Sequence, residues 1–443
     1  MAPTITEFDH LKIPVAKILE ATNNFDDKNI IGEGGFGKVY KGKLLRSGKL
    51  INISARRLDR KHGQGDVEFW TEISALSELS VFKDNTSSND FDASIVKMIG
   101  FCDENGEKII ITHYDIKGSL SMFLGDPTTF SLQYRLWACY VIVKAIRDIH
   151  GASERAFSFI HRNINSSTIL LDDNWEAKLS GFEFSIKHSR DRKNFGIHSE
   201  VIGTQGYIDP TYLMTGSVTH KSDVYSLGVV LFEILCGRHA YNPNEQDDKK
   251  LLAPLAHNHY EKGTLHDIIH PELWNQLPSR NSNQKMVFEK LSKIAYSCLN
   301  KQREQRPDID QVVYELRASV KSHPIIILSD VEVEDASFST TVPVSSVVPA
   351  PAPGSLEDAS VETEPPVVPT SSIPAPPVSP PVPTNLPGQF PVIRQGQPIP
   401  FGLPYQLHPN GGTPDAECPE IDTSFDWHSH SIMKLMEQIF RML

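Results

Sequence analysis

NIIGEGGFGKVYKGKL, residues 29–44, sets Gly32, Gly34 and Gly37 in the spacing G-x-G-x-x-G and then runs into alternating Val39 and Lys41. Glycines in such a turn let backbone N–H groups approach a phosphate without side-chain obstruction. Taken alone, the spacing suits a dinucleotide site or an ordinary hairpin equally well. The flanks favour a phosphate cradle of a different kind, because a dinucleotide fingerprint opens a helix and this one lies between two strand-like runs. LINISARRL, residues 50–58, reads as another strand. DVEFWTEISALSELS, residues 66–80, then places Phe69, Ile73, Leu76 and Leu79 at helical spacing behind a capping Asp66. From about residue 131, helix-length patterns dominate: SLQYRLWACYVIVKAIRDIHG, KSDVYSLGVVLFEILCG and MVFEKLSKIAYSCLN. A small β-rich lobe followed by a larger helical one, with a cleft between them, is the predicted arrangement.

Composition agrees with a folded domain that carries an extension. Of 443 residues, 39% are hydrophobic and 22% charged, enough for a sizeable core. A net charge of −12 argues against a dedicated nucleic-acid or membrane-surface binder. The five cysteines, Cys102, Cys139, Cys236, Cys298 and Cys418, are scattered and never spaced as CxxC. That pattern predicts a reducing compartment, with neither a disulfide framework nor a zinc site. The chain shows no apolar run of about 20 residues and no signal-peptide or lipidation pattern, so a cytoplasmic protein is expected.

Near residue 320 the composition changes. Well over half of the chain's 31 prolines crowd into residues 343–409, as in PAPPVSPPVP. Proline neither joins ladders nor continues helices, and little here can be buried, so an extended, mostly disordered linker is predicted. Just before it, PIIILSDVEVED sets Ile325 to Leu328 against Ser329, Asp330, Glu332 and Glu334. An apolar strand with an acidic flank can add to a partner's sheet edge; docking on the chain's own folded domain is the expectation for it. Ile432, Met436, Ile439 and Leu443 suggest a short amphipathic helix.

ATNNF, IGEGGFGKVYKG, EFWTEI, GFCDENGEKIIITHY, HRNINSSTILLDDNWEAKLSGF, GTQGYIDPTYL, KSDVYSLGVVLFEILCG and REQRPD occur in this order. The series resembles the eukaryotic protein kinases, specifically the plant receptor-like and receptor-like cytoplasmic kinases. The resemblance implies an α+β, bilobal protein-kinase-like fold, with a small β-rich N-lobe carrying an αC helix and a larger helical C-lobe. The expected domains are an N-terminal extension over 1–24 and a kinase-like domain over 25–320, split into lobes at about 114/115. An acidic and then Pro-rich disordered linker over 321–410 and a tail over 411–443 follow.

Carried over position by position, the resemblance removes most of the catalytic chemistry. The lysine that grips nucleotide phosphates falls at Arg56, which keeps the charge but not the shape of an ammonium; its helix partner is Glu72. The catalytic aspartate falls at Asn163, an amide that cannot take a proton at neutral pH. Asn165 stands for the loop lysine, Thr168 for the asparagine that holds a magnesium ion, and Gly181 for the aspartate of D-F-G. Glu183 ends that triplet and is expected to be solvated. Retained positions are architectural: Leu76, His161 and Phe182 match a stacked apolar column, and Asp223 matches the aspartate bracing the catalytic loop. Val39 and Leu170 match residues that sandwich adenine, Ser54 replaces the usual alanine there, and Thr112 falls at the small gatekeeper. Thr211 replaces the glutamate that pairs with Arg306, so Arg306 must find another partner. SVFKDNTSSNDFDAS, residues 80–94, is a longer loop than the family's. In the activation segment, Ser189, Ser199, Thr204 and Tyr207 carry hydroxyls, and Arg190, Arg192 and Lys193 could receive a phosphate.

The expectation that follows is a pseudokinase acting as a scaffold or allosteric partner in cytosolic signalling; a slow or unconventional ATP-dependent Ser/Thr kinase is the alternative. ATP, held weakly and with little magnesium dependence by Gly32, Gly34, Gly37, Val39, Arg56, Glu72, Thr112 and Leu170, is the cofactor to look for. No metal site of the chain's own is expected. The partners expected are an active kinase or receptor complex, which could bring the chain peripherally to the plasma membrane, and a peptide-binding module for the Pro-rich tail. Nucleic acid and a direct membrane span are not expected.

Overall fold

The computed structural model describes residues 5–34, 37–58, 65–81, 94–151, 155–189, 195–277, 283–321 and 392–394. In chain order the first lobe contains helix Val15–Thr22 (α1) and strands Ile30–Gly34 (β1), Gly37–Arg46 (β2) and Lys49–Arg57 (β3). Helix Asp66–Val81 (α2) and strands Met98–Glu104 (β4) and Glu107–His113 (β5) complete it. The strands form one antiparallel sheet in the order β1-β2-β3-β5-β4. Two of its tight hairpins, β2–β3 and β4–β5, have a local cause. Ser47–Gly48 and Asn105–Gly106 all adopt positive φ, the backbone that matches the twist of paired strands.

Residues ahead of the sheet pack on it. Ile18 of α1 is fully buried with Ile53, Ile109 and Ile111, and the Ile13 N–H donates to the Phe101 carbonyl at 2.8 Å. Gly42 makes the approach feasible, since a Cβ there would lie 2.6 Å from the Ala21 carbonyl oxygen. The segment read as an extension is thus part of the small lobe's packing. Asp66 is the first helical residue of α2 rather than its cap; the Gly65 N–H is taken by Glu68 Oε2 at 2.9 Å, and Asp66 faces Lys108 at 3.4 Å.

The second lobe is built on helices Leu132–Ile149 (α3) and His220–Cys236 (α5). Strand Gly118–Ser119 (β6) precedes α3, and strands Phe157–Ile160 (β7), Ile169–Leu171 (β8), Ala177–Leu179 (β9) and Ile186–Ser189 (β10) lie between the two helices. Ile197–His198 (β11), Ile202–Thr204 (β12), helix Pro210–Thr215 (α4) and strand Ser217–Val218 (β13) follow. Helices Leu252–Glu261 (α6), Pro271–Gln276 (α7), Asn283–Cys298 (α8) and Ile309–Lys321 (α9) close the lobe. The helix α5 is buried on all sides, as an apolar sequence without a polar face requires. Thr219 and Ser222 cap its start reciprocally and Gly237 ends it in a left-handed turn.

Strand Val392–Arg394 (β14), from the stretch read as a linker, pairs antiparallel with β12, Gly203 opposite Ile393. The rest of the tail, with the acidic motif, most of the Pro-rich run and the terminal helix, lies outside the described residues. So do Arg190, Arg192, Lys193 and most of the loop over 80–94. Among the described residues no helix is long and apolar enough to cross a membrane.

Candidate functional site

The loop between β7 and β8 is held from below by α5. Asp223, in the first turn of that helix, accepts from the His161 N–H at 2.7 Å, the Arg162 N–H at 2.9 Å and the His150 ring at 2.9 Å. Burial pushes the Asp223 carboxyl up, but the His150 hydrogen bond and neighbouring charge outweigh it and hold the group below the usual carboxylate range. Burial lowers His161, so its neutral ring donates to the Ser180 carbonyl at 3.0 Å and accepts from the Asn163 N–H at 3.2 Å. Its ring stacks edge-on to Phe182 with centroids 4.7 Å apart, and Phe182 shares one core with Leu76. His161 and Phe182 thus lie ring against ring in the core that holds Leu76, with Asp223 beneath the loop.

Above that brace Asn163, Asn165 and Thr168 satisfy one another. Asn163 is buried, and its Oδ1 accepts from Thr204 Oγ1 at 2.7 Å and Asn165 Nδ2 at 3.1 Å. Asn165 Nδ2 also reaches the Asn163 carbonyl at 2.8 Å, and Thr168 Oγ1 donates to the same carbonyl at 2.9 Å. Asn165 Oδ1 accepts from the N–H groups of Ser167 and Thr168. The Asn163 amide N–H₂ donates to Glu183 Oε1 at 3.1 Å. Amides suit this role because each carries both donors and an acceptor, whereas a carboxylate and an ammonium would have to pair by charge.

Glu183 is where the structure departs most from expectation. It is 3% exposed rather than solvated. Its Oε2 lies 3.5 Å from Arg56 Nη1, and the same guanidinium pairs with Glu72. With side chains only 19% and 5% exposed, Arg56 and Glu72 form a buried tie between β3 and α2. The reason lies two residues back. Gly181 has φ +83°, and a Cβ there would sit 2.7 Å from Thr168 Cγ2 and 3.7 Å from Glu183 Oε1. Thr168 and Glu183 thus fill the space that a side chain at 181 would claim.

The nucleotide and magnesium implied by the resemblance fit this site unequally. Val39, Ser54, Thr112 and Leu170 are half-buried, leaving apolar surface for a planar base, and Ser54 lies opposite Thr112 across β3 and β5. Gly34 pairs with Gly37 to close the glycine hairpin, and Gly32 pairs with Val39. Val39 lies opposite Arg56 across β2 and β3. The metal side does not fit: Asn163, Asn165 and Thr168 offer no charge, and Glu183 is already held by Arg56. Among the described residues no three His, Cys, Asp or Glu side chains are placed to share a metal ion.

The lower part of the site holds residues that sequence reasoning missed. Arg306 is fully buried, and in place of a partner at Thr211 it donates to Asp209 Oδ1 at 2.7 Å. Arg303 takes the other oxygen of Asp209 at 2.8 Å. The signal was present: Asp209 precedes Pro210 as a helix cap, and its side chain accepts from the Thr211 N–H. Arg162 holds the activation segment through Ser199 Oγ, the Glu200 carbonyl and the Tyr212 hydroxyl. Thr204 and Tyr207, read as candidate modification sites, are buried, and the Tyr207 hydroxyl donates to Glu233 at 2.6 Å.

The sequence profile described as protein kinase domain matches residues 25–315. Among curated proteins the chain is 35% identical over 308 residues to a probable receptor-like protein kinase of Arabidopsis thaliana, a match covering 69% of this chain and 34% of that protein. It is 34% identical to the receptor-like protein kinase ANXUR1 of the same plant over 312 residues, 70% of this chain and 34% of ANXUR1. Against the receptor-like protein kinase FERONIA, also from Arabidopsis thaliana, the identity is 34% over 308 residues, 69% of this chain and 32% of FERONIA. The chain spans about a third of the length of these relatives. With its sheet lobe, its helical lobe and a braced loop in the matched order, the chain belongs to the protein kinase domain family.

Proposed function

We propose that this chain is a pseudokinase: a protein-kinase-like domain, impaired in catalysis, that works as a scaffold or allosteric partner in cytosolic signalling. Asn163 carries the reading. Its amide oxygen is occupied by Thr204 and Asn165 and its nitrogen by Glu183, so the side chain at the base position neither takes a proton nor is free to orient a substrate hydroxyl. Loss of a general base alone costs about 10²–10⁴-fold. A magnesium ion supplies several kcal/mol of charge stabilisation, and the donor set here does not suit one. Such losses within one site are not additive, yet among the described residues no neighbouring group replaces either.

ATP is then a weak ligand with little magnesium dependence, seated by its base against Val39 and Leu170. The partners in this reading are an active receptor-like kinase or its complex, and recruitment by them would bring the chain to the plasma membrane. The Pro-rich tail suits the aromatic groove of a peptide-binding module. The second reading, a slow Ser/Thr kinase, is favoured by the Arg56–Glu72 pair, which keeps α2 inward as phosphate transfer requires.

Radiolabelled phosphotransfer by the purified chain separates the two. The comparison is a variant carrying Arg56→Lys, Asn163→Asp, Asn165→Lys, Thr168→Asn, Gly181→Asp and Glu183→Gly. The pseudokinase reading expects no transfer above background from the unmodified chain. Clear transfer that Arg56→Ala abolishes would defeat it.

A further inference from the structure

We propose that Glu183 is an internal counter-anion: it takes, from within the chain, the place at Arg56 that nucleotide phosphates would take, so that α2 stays inward without nucleotide. The inference rests on the pseudokinase reading and adds how its cleft is governed. Three observations carry it. The carboxylate of Glu183 lies 3.7 Å from the point where a side chain at Gly181 would begin, so it stands in the region that an aspartate there would occupy. It is turned away from solvent, with one oxygen on the Asn163 amide at 3.1 Å and the other toward Arg56 at 3.5 Å. Arg56 also pairs with Glu72, so one guanidinium serves two buried carboxylates and the cluster carries a formal charge of −1.

A di- or triphosphate arriving at Arg56 must displace Glu183 or lie beside it. Either course is opposed, by loss of a buried ion pair or by like-charge repulsion in a poorly solvated site. The same carboxylate gives β3 and α2 a fixed bridge to the segment after β9. In active kinases that closure is controlled by activation-loop phosphorylation and helix positioning; here Glu183 supplies it constantly. A protein that presents the helix-in surface at all times suits a scaffold.

The test is ADP binding by the full chain and by Glu183→Gln, measured by titration calorimetry in EDTA and again with magnesium. Glutamine keeps the size of the side chain and an oxygen to accept from Asn163, so the fold should tolerate it; Glu183→Ala serves as the second variant. Hydrogen exchange over α2 is followed in parallel. Expected are at least ~10-fold tighter ADP binding by both variants, no magnesium effect in the unmodified chain, and α2 protection that falls in the variants and returns with ADP. Equal ADP affinity in all three proteins, or no detectable binding in any, would overturn the proposal. Magnesium-dependent tightening in the unmodified chain, lost in Glu183→Gln, would overturn it in favour of Glu183 as a metal ligand. Phosphotransfer by the unmodified chain would instead sink the reading beneath it, and that failure is read in transferred phosphate rather than in ADP affinity.

Discussion

The side chains at positions 168, 181 and 183 fit one another as a set, and the contact distances say why they cannot be changed one at a time. A Cβ at 181 meets the Thr168 methyl at 2.7 Å, a separation real structures do not keep, and φ +83° strains any residue other than glycine. Gly181→Ala should therefore destabilise the chain by about 2–3 kcal/mol in urea unfolding, about 1 from the backbone and the rest from overpacking. Thr168→Ser removes the offending methyl and should return part of that loss. In a double-mutant cycle the two changes should couple by at least ~0.5 kcal/mol; additive effects would show that the loop relaxes freely. For the same reason, Gly181→Asp alone should not restore any metal-dependent behaviour. Asn163 and Gly181 as substituted positions were legible in the sequence because the motif around them fixes their register. The burial of Glu183 was not, since the ion partner that receives it, Arg56, lies more than a hundred residues away in the chain.

Between elements, a buried polar tie joins the start of α4 to the turn before α9 through Asp209, Arg303 and Arg306. Both members of the Arg306–Asp209 pair are fully buried. Removing one should cost about 3–5 kcal/mol by stranding the other, so Arg306→Met and Asp209→Asn are each expected to lower the melting temperature sharply. Burial pushes the Asp209 carboxyl up, but the hydrogen bond and charge of Arg306, and then Arg303, hold it below its ordinary value. The folded state thus binds its proton less tightly than the unfolded chain, and the stability it contributes is full above about pH 4 and lost as pH falls through the folded value. Asp209→Asn should remove that part of the acid sensitivity. Glu233 in α5 behaves oppositely. Burial raises it to about 8, against the pull of Tyr207, the Ala240 N–H and Ser166. A folded state that keeps a proton the unfolded chain releases is most favoured by it at low pH, and the contribution declines as pH rises from about 4.5 toward 8. Melting temperatures of Glu233→Gln and the unmodified chain at pH 5, 6.5 and 8 should therefore diverge, the glutamine variant losing less; parallel curves would remove Glu233 from the account.

Across the whole molecule, legibility followed the range of the interactions. Lobes, α3, α5 and α8 were readable because apolar period and turn chemistry are local, as in the Asn105–Gly106 hairpin. The docking of residues 5–24 was hidden because it depends on Gly42 leaving space beneath α1, a fact about two distant segments. The pairing of β14 with β12 was hidden more deeply, in a stretch whose prolines argue against any ladder. Pro391 and Pro398 flank Val392–Arg394 without interrupting it, so three consecutive residues remain that can pair. Their site matters, because β12 ends at Thr204, whose hydroxyl donates to Asn163. The tail strand therefore lies along the edge of the segment that abuts the substituted loop. An uncovered edge offers unpaired N–H and C=O groups to any extended peptide, and in this chain its own tail takes that place. A chain ending at residue 386 should lose amide protection at Ile202–Thr204 by at least ~10-fold in hydrogen exchange, corresponding to about 1.4 kcal/mol of local opening. The β7–β10 pair, which touches no part of the tail strand's ladder, should keep its protection. Adding a synthetic peptide of residues 387–398 to the shortened chain should restore the lost protection in a concentration-dependent manner. Unchanged exchange at Ile202–Thr204 in the shortened chain would mean that the edge is closed by something other than the tail.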